Sequence, residues 1–245
     1  MIRRWHRPSL LAWLLLAIGL AAFVSLGRWQ LQRAADKEQL LAAYAHAENE
    51  APRPFAAVLT APPTEQNPRV NVRGHFLAER SYLLDEQPHA GRVGVLAVDV
   101  FQPEGDARKL LVNRGWVPWS HASGTAPAIP ALPAGEVALT GMYAPPPGGG
   151  LRVGGNALET QKHWPKLTLY LDTAQIAVDL GGDVYPRLLL LDADPNSGFV
   201  REWTPEVMPP ERHRGYALQW FSFAIAALVI FFVLHWRKPA PTDSP

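Results

Sequence analysis

The 245-residue chain contains no cysteine. Disulfides, thiolate zinc sites and thiol-mediated copper transfer are thereby excluded, while the compartment stays open. It also lacks an excess of charge of either sign, with 23 Lys+Arg against 22 Asp+Glu. A nucleic-acid binder would need a clustered basic surface, so that class is excluded as well. His75, His89, His121 and His163 stand apart, with no HxH or HExxH spacing, and read as surface or turn residues. There is no GxSxG elbow, and the carboxylates are scattered through loops. The glycine-rich tract "PPPGGGLRVGGN" (Pro145–Asn156) lacks the combined strand-before and helix-after context and the regular glycine spacing of a phosphate loop. It reads as a surface loop rather than a phosphate cradle. No residue set asks for catalysis, and the expectation is a protein that is not an enzyme.

Two long apolar runs dominate what is present. Leu10–Leu26 and Tyr216–Leu234 carry no charge. As helices each covers roughly 25–28 Å, enough for a bilayer core of about 30 Å. Arg3, Arg4 and Arg7 could be the n-region of a signal peptide, but no small-x-small site separates the run from "GRWQLQR", so an uncleaved anchor is expected. Basic residues flank both runs on both sides, so the positive-inside count is nearly a tie. Cytoplasmic termini are expected because the alternative translocates Arg3, Arg4 and Arg7. The expected divisions are a cytoplasmic N-terminus 1–9, spans 10–26 and 216–234, a periplasmic domain 27–215 and a cytoplasmic tail 235–245.

The intervening segment opens with "GRWQLQRAADKEQLLAAYAHAENE", where Leu31, Ala34, Ala35, Leu41 and Tyr44 give a helical stripe that extends the first span as a stalk. Prolines break residues 51–68 into loop. From Arg69 the pattern alternates, and "RVNVRGHFL", "SYLLDEQ", "VGVLAVDVF", "KLLVNRGWVP" and "VALTGMY" follow at short intervals. Such spacing predicts a β-rich, antiparallel barrel-like or sandwich-like α+β domain between two transmembrane helices. "LDTAQIAVDLG" reads as a short helix with Asp172 or Thr173 as cap and Gly181 beyond its end, and "PRLLLLDAD" as a final buried strand.

Two stretches carry functional interest. In "LLVNRGWVP", Asn113, Arg114, Gly115 and Trp116 follow a buried strand. Either Gly115 makes a bulge with Arg114 stacked on an aromatic, or Arg114 and Trp116 form a binding surface. At the second span, His213, Ala217, Trp220, Ala224 and Ala227 share one helical face. Gly19 and Ala22 offer a matching small patch on the first span, leading to Leu26 and Trp29. Packing these faces would gather Trp29, Arg33, His213, Tyr216 and Trp220. Three readings are open: an interfacial aromatic belt in the lipid bilayer, a haem pocket with an imidazole ligand, or a dock for a partner's helix.

"LGRWQLQR", "LLVNRGWVP" and "HRGYALQWFSFA" resemble, in order and spacing, the signatures of the surfeit locus protein 1 family. The likeness runs from Leu10 to about Arg237, with "HWPKLTLYLDTAQIA" and "PRLLLLDAD" matching more loosely. The resemblance implies a cytochrome c oxidase assembly factor of the bacterial plasma (inner) membrane, with the main domain on the periplasmic side. It implies action during haem a insertion, with cytochrome c oxidase subunit 1 and haem a synthase as partners. On that reading His213 is the haem ligand, with Trp220 on its face, and Arg28 or Arg33 serves the ligand or the partner. A cofactor-free scaffold for the nascent subunit is the alternative.

Overall fold

The computed structural model describes residues 4–60, 67–147, 156–205 and 207–237. The tail from residue 238 and the glycine-rich residues 148–155 lie outside the described residues. In chain order the elements are β1 (Arg4–Trp5), α1 (Leu10–Asn49), β2 (Arg53–Pro54), α2 (Phe55–Thr60), β3 (Arg69–His89), β4 (Arg92–Pro103), β5 (Lys109–Pro118), β6 (Glu136–Ala144), β7 (Lys166–Thr168), α3 (Thr173–Leu180), β8 (Val184–Leu191), α4 (Pro210–His235) and β9 (Trp236–Arg237). The chain divides into a terminal unit, Met1–Ala42 with Pro205–Pro245, and a sheet unit, Ala43–Thr204.

In the terminal unit α1 and α4 are each long and apolar enough to cross a membrane. Ser9 caps the first, its hydroxyl accepting from the Ala12 N–H. Pro210 opens α4, where its missing N–H costs nothing, and Glu211 sits in the positive first turn. The two helices run antiparallel, since Trp13 meets Phe231, Phe23 meets Trp220, and Gln30 meets His213. Leu14, Ile18, Leu218, Ile225 and Val233 are exposed, as lipid-facing side chains would be.

In the sheet unit β3 pairs β4, β4 pairs β5, β5 pairs β8, β8 pairs β6, and β6 returns to β3, so the ladders close into a ring. β5 is buried on both faces over Leu110–Val117 and β8 over Leu188–Leu191, which is why these read as continuous apolar runs, whereas β3 alternates over Val70–His75. Leu111, Leu188 and Leu190 enter one apolar layer with Tyr82, Val98 and Ile176, joined by Tyr44 and Ala47 from the last turns of α1. Leu110, Val112 and Leu189 enter the other with Val70, Phe101, Tyr185 and Phe55. Asp172 caps α3 by accepting from the Ala174 and Gln175 amides, and Gly181 ends it with φ of 62°.

Three features differ from the sequence reading. The sheet is mixed: β5–β8, β2–β3 and β7–β3 are parallel pairings. Strand direction depends on crossover connections, to which local turn chemistry is blind. The stretches "RVNVRGHFL" and "SYLLDEQ" form one strand, interrupted in register between Phe76 and Ser81, where Glu79 takes a positive φ of 54°. The proline-broken segment holds β2 and α2, because Phe55 lies edge-on to Tyr143 and Tyr185 at ring-centroid distances of 5.2 and 5.0 Å. Aromatic burial there outweighs a poor local propensity.

A buried ion pair joins α3 to the sheet. Lys166 Nζ lies 2.5 Å from Asp179 Oδ1 and donates to the Leu158 carbonyl at 2.9 Å, while the Tyr82 hydroxyl donates to Asp179 Oδ2 at 2.8 Å. Burial, reinforced by Asp179, pushes the Tyr82 hydroxyl well above its ordinary value. Removing one partner strands the other, so Asp179→Ala should cost about 3–5 kcal/mol and the volume-matched apolar pair Lys166→Met with Asp179→Leu much less. Denaturation of the detergent-solubilised full chain checks this, and equal losses in the two variants would refute it.

Candidate functional site

The helix pair places its residues by a seam of small side chains. On α4 the seam is His213, Ala217, Trp220, Ala224 and Phe231, with Ala217 and Ala224 buried. The spacing in the sequence predicts the same face as far as Ala224 and then Ala227, which is half-buried, with Phe231 one turn further on. On α1 the facing positions are Gly19, Phe23, Gly27, Gln30 and Ala34. Gly27 is the point of closest approach: a Cβ there would lie 2.7 Å from the Phe221 ring, whereas one at Gly19 would meet nothing within 4 Å. From Gly19 the helical pattern can step by three or by four, and close packing selects the step that lands on Gly27 rather than Leu26.

That register turns Trp29 outward. It is 51% exposed and stacks with the Arg33 guanidinium at 5.7 Å, and Arg33 in turn pairs with Asp36 at 3.7 Å. Gln30 takes the place expected for Trp29, its Oε1 lying 2.7 Å from His213 Nδ1. Tyr216 and Arg28 are exposed. Trp220 is half-buried and stacks with Phe23, planes 25° apart and centroids 6.1 Å apart. Nearby, Arg214 pairs with Glu38. The structure therefore brings His213 and Trp220 onto one seam, and it directs Trp29 and Arg33 to each other. The partner residues Gln30 and Glu38 escaped the sequence reading because polar residues on a stalk helix look like solvated positions.

In the sheet unit the stretch Asn113–Trp116 is interior throughout. Between the paired residues Ala97–Gly115 and Val98–Asn113, Arg114 is the extra residue of a bulge. Its guanidinium reaches Asp99 at 3.2 Å and the Ala131 carbonyl at 2.8 Å, and stacks on Phe199 at 4.7 Å. Burial pushes the Asp99 carboxyl above its ordinary value, against the lowering pull of Ser81 and Arg114, both of which hydrogen-bond it. Trp116 donates its indole N–H to the Gln87 carbonyl at 2.9 Å and forms an isolated bridge with Val200. Asn113 accepts the Gly115 N–H at 3.1 Å, and its Nδ2 is buried without a partner among the described residues. These side chains act through the geometry of the fold, and the contact-surface alternative finds no exposed group among them.

Arg201, which the sequence reading passed over, closes this region. It donates to the carbonyls of Arg114 at 2.7 Å and Asp192 at 2.8 Å, and desolvation lowers its pKa. Of the scattered histidines, His121 alone pairs with a carboxylate, its Nε2 lying 2.6 Å from Asp85, while His75 and His163 are exposed. No group of three or more metal-ligating side chains occurs among the described residues.

Two long apolar helices near the termini and a closed mixed sheet between them in sequence define the class, a membrane protein with a β domain. The SURF1 family model matches residues 17–225, and the chain belongs to that family, the surfeit locus protein 1 family. Membership implies a role in the assembly of cytochrome c oxidase, a family of assembly factors rather than of known enzymes. No curated protein matches the chain.

Gly115 has φ of 128°, and a Cβ on it would lie 2.6 Å from Phe199 Cβ and 2.8 Å from the Val200 carbonyl oxygen. Gly115→Ala should therefore destabilise the protein by roughly 2–4 kcal/mol through backbone strain and overpacking. Thermal unfolding of the full chain reads this directly, and an unchanged Tm would contradict it.

Proposed function

We propose that the chain assists cytochrome c oxidase assembly by transiently holding haem a at His213 for insertion into cytochrome c oxidase subunit 1, with haem a synthase as the donor. The observation that carries this reading is the state of the His213 ring. Nδ1 is tied to Gln30, and Nε2 makes no hydrogen bond among the described residues. An imidazole anchored at one nitrogen and open at the other is the usual arrangement of a metal ligand. Trp220 and Phe23 supply aromatic surface along the same seam. The donor set is a single nitrogen, which fits a cargo that must leave again better than a resident group held from both sides.

A cofactor-free scaffold is favoured by one specific observation. Trp29 and Arg33, which could wall a pocket and neutralise acidic substituents, are stacked on each other and exposed. The two readings separate in the absorption spectrum of protein purified from cells that make haem a. A reduced haem a band is expected in the wild type, and its loss or shift in His213→Ala. If neither protein carries the band and His213→Ala still supports oxidase assembly, the scaffold reading replaces ours.

The proposal also places the chain in a bacterial plasma membrane with its termini in the cytoplasm and the sheet unit in the periplasm, sparing Arg3, Arg4 and Arg7 from translocation. The absence of cysteine makes this directly measurable. In cells with a permeabilised outer membrane, an impermeant maleimide should label Lys162→Cys, on an exposed loop, and spare Arg7→Cys until lysis. The reverse pattern would overturn the orientation.

A further inference from the structure

We infer that Gln30 is a positioning residue for His213, setting the imidazole tautomer that leaves Nε2 free to bind a metal. A side-chain amide oxygen is an acceptor only. Gln30 Oε1 lies 2.7 Å from Nδ1, and this contact is a hydrogen bond only when Nδ1 carries the ring proton, which assigns the lone pair to Nε2. The contact joins two helices far apart in sequence, and it exists because the seam beside it is narrow. Gly27 and Ala34 on α1 and Ala217 on α4 are buried where the helices approach. A bulkier seam would hold the backbones too far apart for the amide to reach the ring.

Several neighbouring polar groups at this end are paired with one another. Arg214 pairs with Glu38, Arg33 with Asp36, and the Gln32 amide donates to Asp36 at 2.9 Å. Gln30 is the group among the described residues that hydrogen-bonds the His213 ring. Its role goes beyond joining the helices, since any interhelical hydrogen bond would do that, whereas an acceptor on Nδ1 decides which nitrogen faces outward. A carboxylate in the same place would do so more strongly and make the ring a better donor to a metal.

The inference about ligand binding rests on the haem reading above, while the tautomer is a property of the chain alone, so two measurements on the full chain in lipid nanodiscs separate them. The first is the ¹⁵N spectrum of the His213 ring. The wild type and Gln30→Glu should show the Nδ1–H form, and Gln30→Leu a mixture. An Nε2–H ring in the wild type, or an unchanged ring in Gln30→Leu, overturns the inference. The second is titration with haem a. Gln30→Leu should weaken binding about 10–100-fold, the range for loss of a group that orients a ligand. Gln30→Glu should retain binding and shift the reduction potential to more negative values. Wild-type binding that neither variant alters sinks the positioning role and leaves the haem reading standing. A tautomer that follows Gln30 in a protein that binds no haem a upholds the positioning and removes the haem reading.

Discussion

Of the two buried ion pairs among the described residues of the sheet unit, the one that ties most of it together is Arg114 with Asp99, whose side chains are 8% and 1% exposed. Burying both charges is expensive, and their attraction offsets the cost only if the remaining donors and acceptors are also satisfied. Here they are satisfied by Ser81 on the carboxylate and by the Ala131 carbonyl on the guanidinium. Each partner comes from a different part of the chain, so the pair ties β3, β4, β5 and the proline-containing segment around residue 131 to one point. Arg114 can reach inward because it is the bulged residue, and the bulge in turn brings Gly115 close beneath Phe199 and Val200. Arg201 then locks that returning segment to the Arg114 and Asp192 carbonyls. The net stabilisation from such a pair is small, and its effect is to permit one register and exclude its neighbours.

The terminal unit obeys a different constraint. In lipid there is no hydrophobic drive to bring two apolar helices together, so packing and interhelical hydrogen bonds must do so. The small seam of Gly27, Ala34, Ala217 and Ala224 answers the first need. The second is met by side chains at one end, Gln30 with His213 and Glu38 with Arg214, and by backbone at the other, where the His6 N–H donates to the His235 carbonyl at 2.9 Å. The opposite end is aromatic: Trp13 lies on Phe231, Trp5 approaches Phe232 and His235, and β1 pairs with β9. The helix pair is therefore polar and directional at the His213 end and greasy at the other.

Much of this was legible in residue order. The face of α4 from His213 to Ala224, the limits of β5, the Asp172 cap and a bulge in β5 with Arg114 on an aromatic all follow from local chemistry that the structure repeats, although the bulged residue is Arg114 where Gly115 was expected. What was not legible depends on partners distant in sequence. The parallel pairing of β5 with β8 is set by a crossover, and the helix formed by residues 55–60 is set by Tyr143 and Tyr185. The register of α1 turned on a choice between two helical steps from Gly19, and it moved Trp29 off the seam in favour of Gln30. Aromatic residues drew the eye, while an amide beside them did the positioning.

That exchange bears on what the site can do. A pocket walled by Trp29 and charged by Arg33 would bind a planar ligand on several sides and release it slowly. A seam that offers one anchored imidazole beside Trp220 would, on the haem reading proposed above, hold such a ligand from one side only. Orientation of the ring then matters more than enclosure, because with a single donor there is no second ligand to correct a misplaced one. The narrowness of the helix seam and the fixed direction of the His213 ring are consequently one design: the first exists in the glycine and alanines, the second in the amide they allow to reach across.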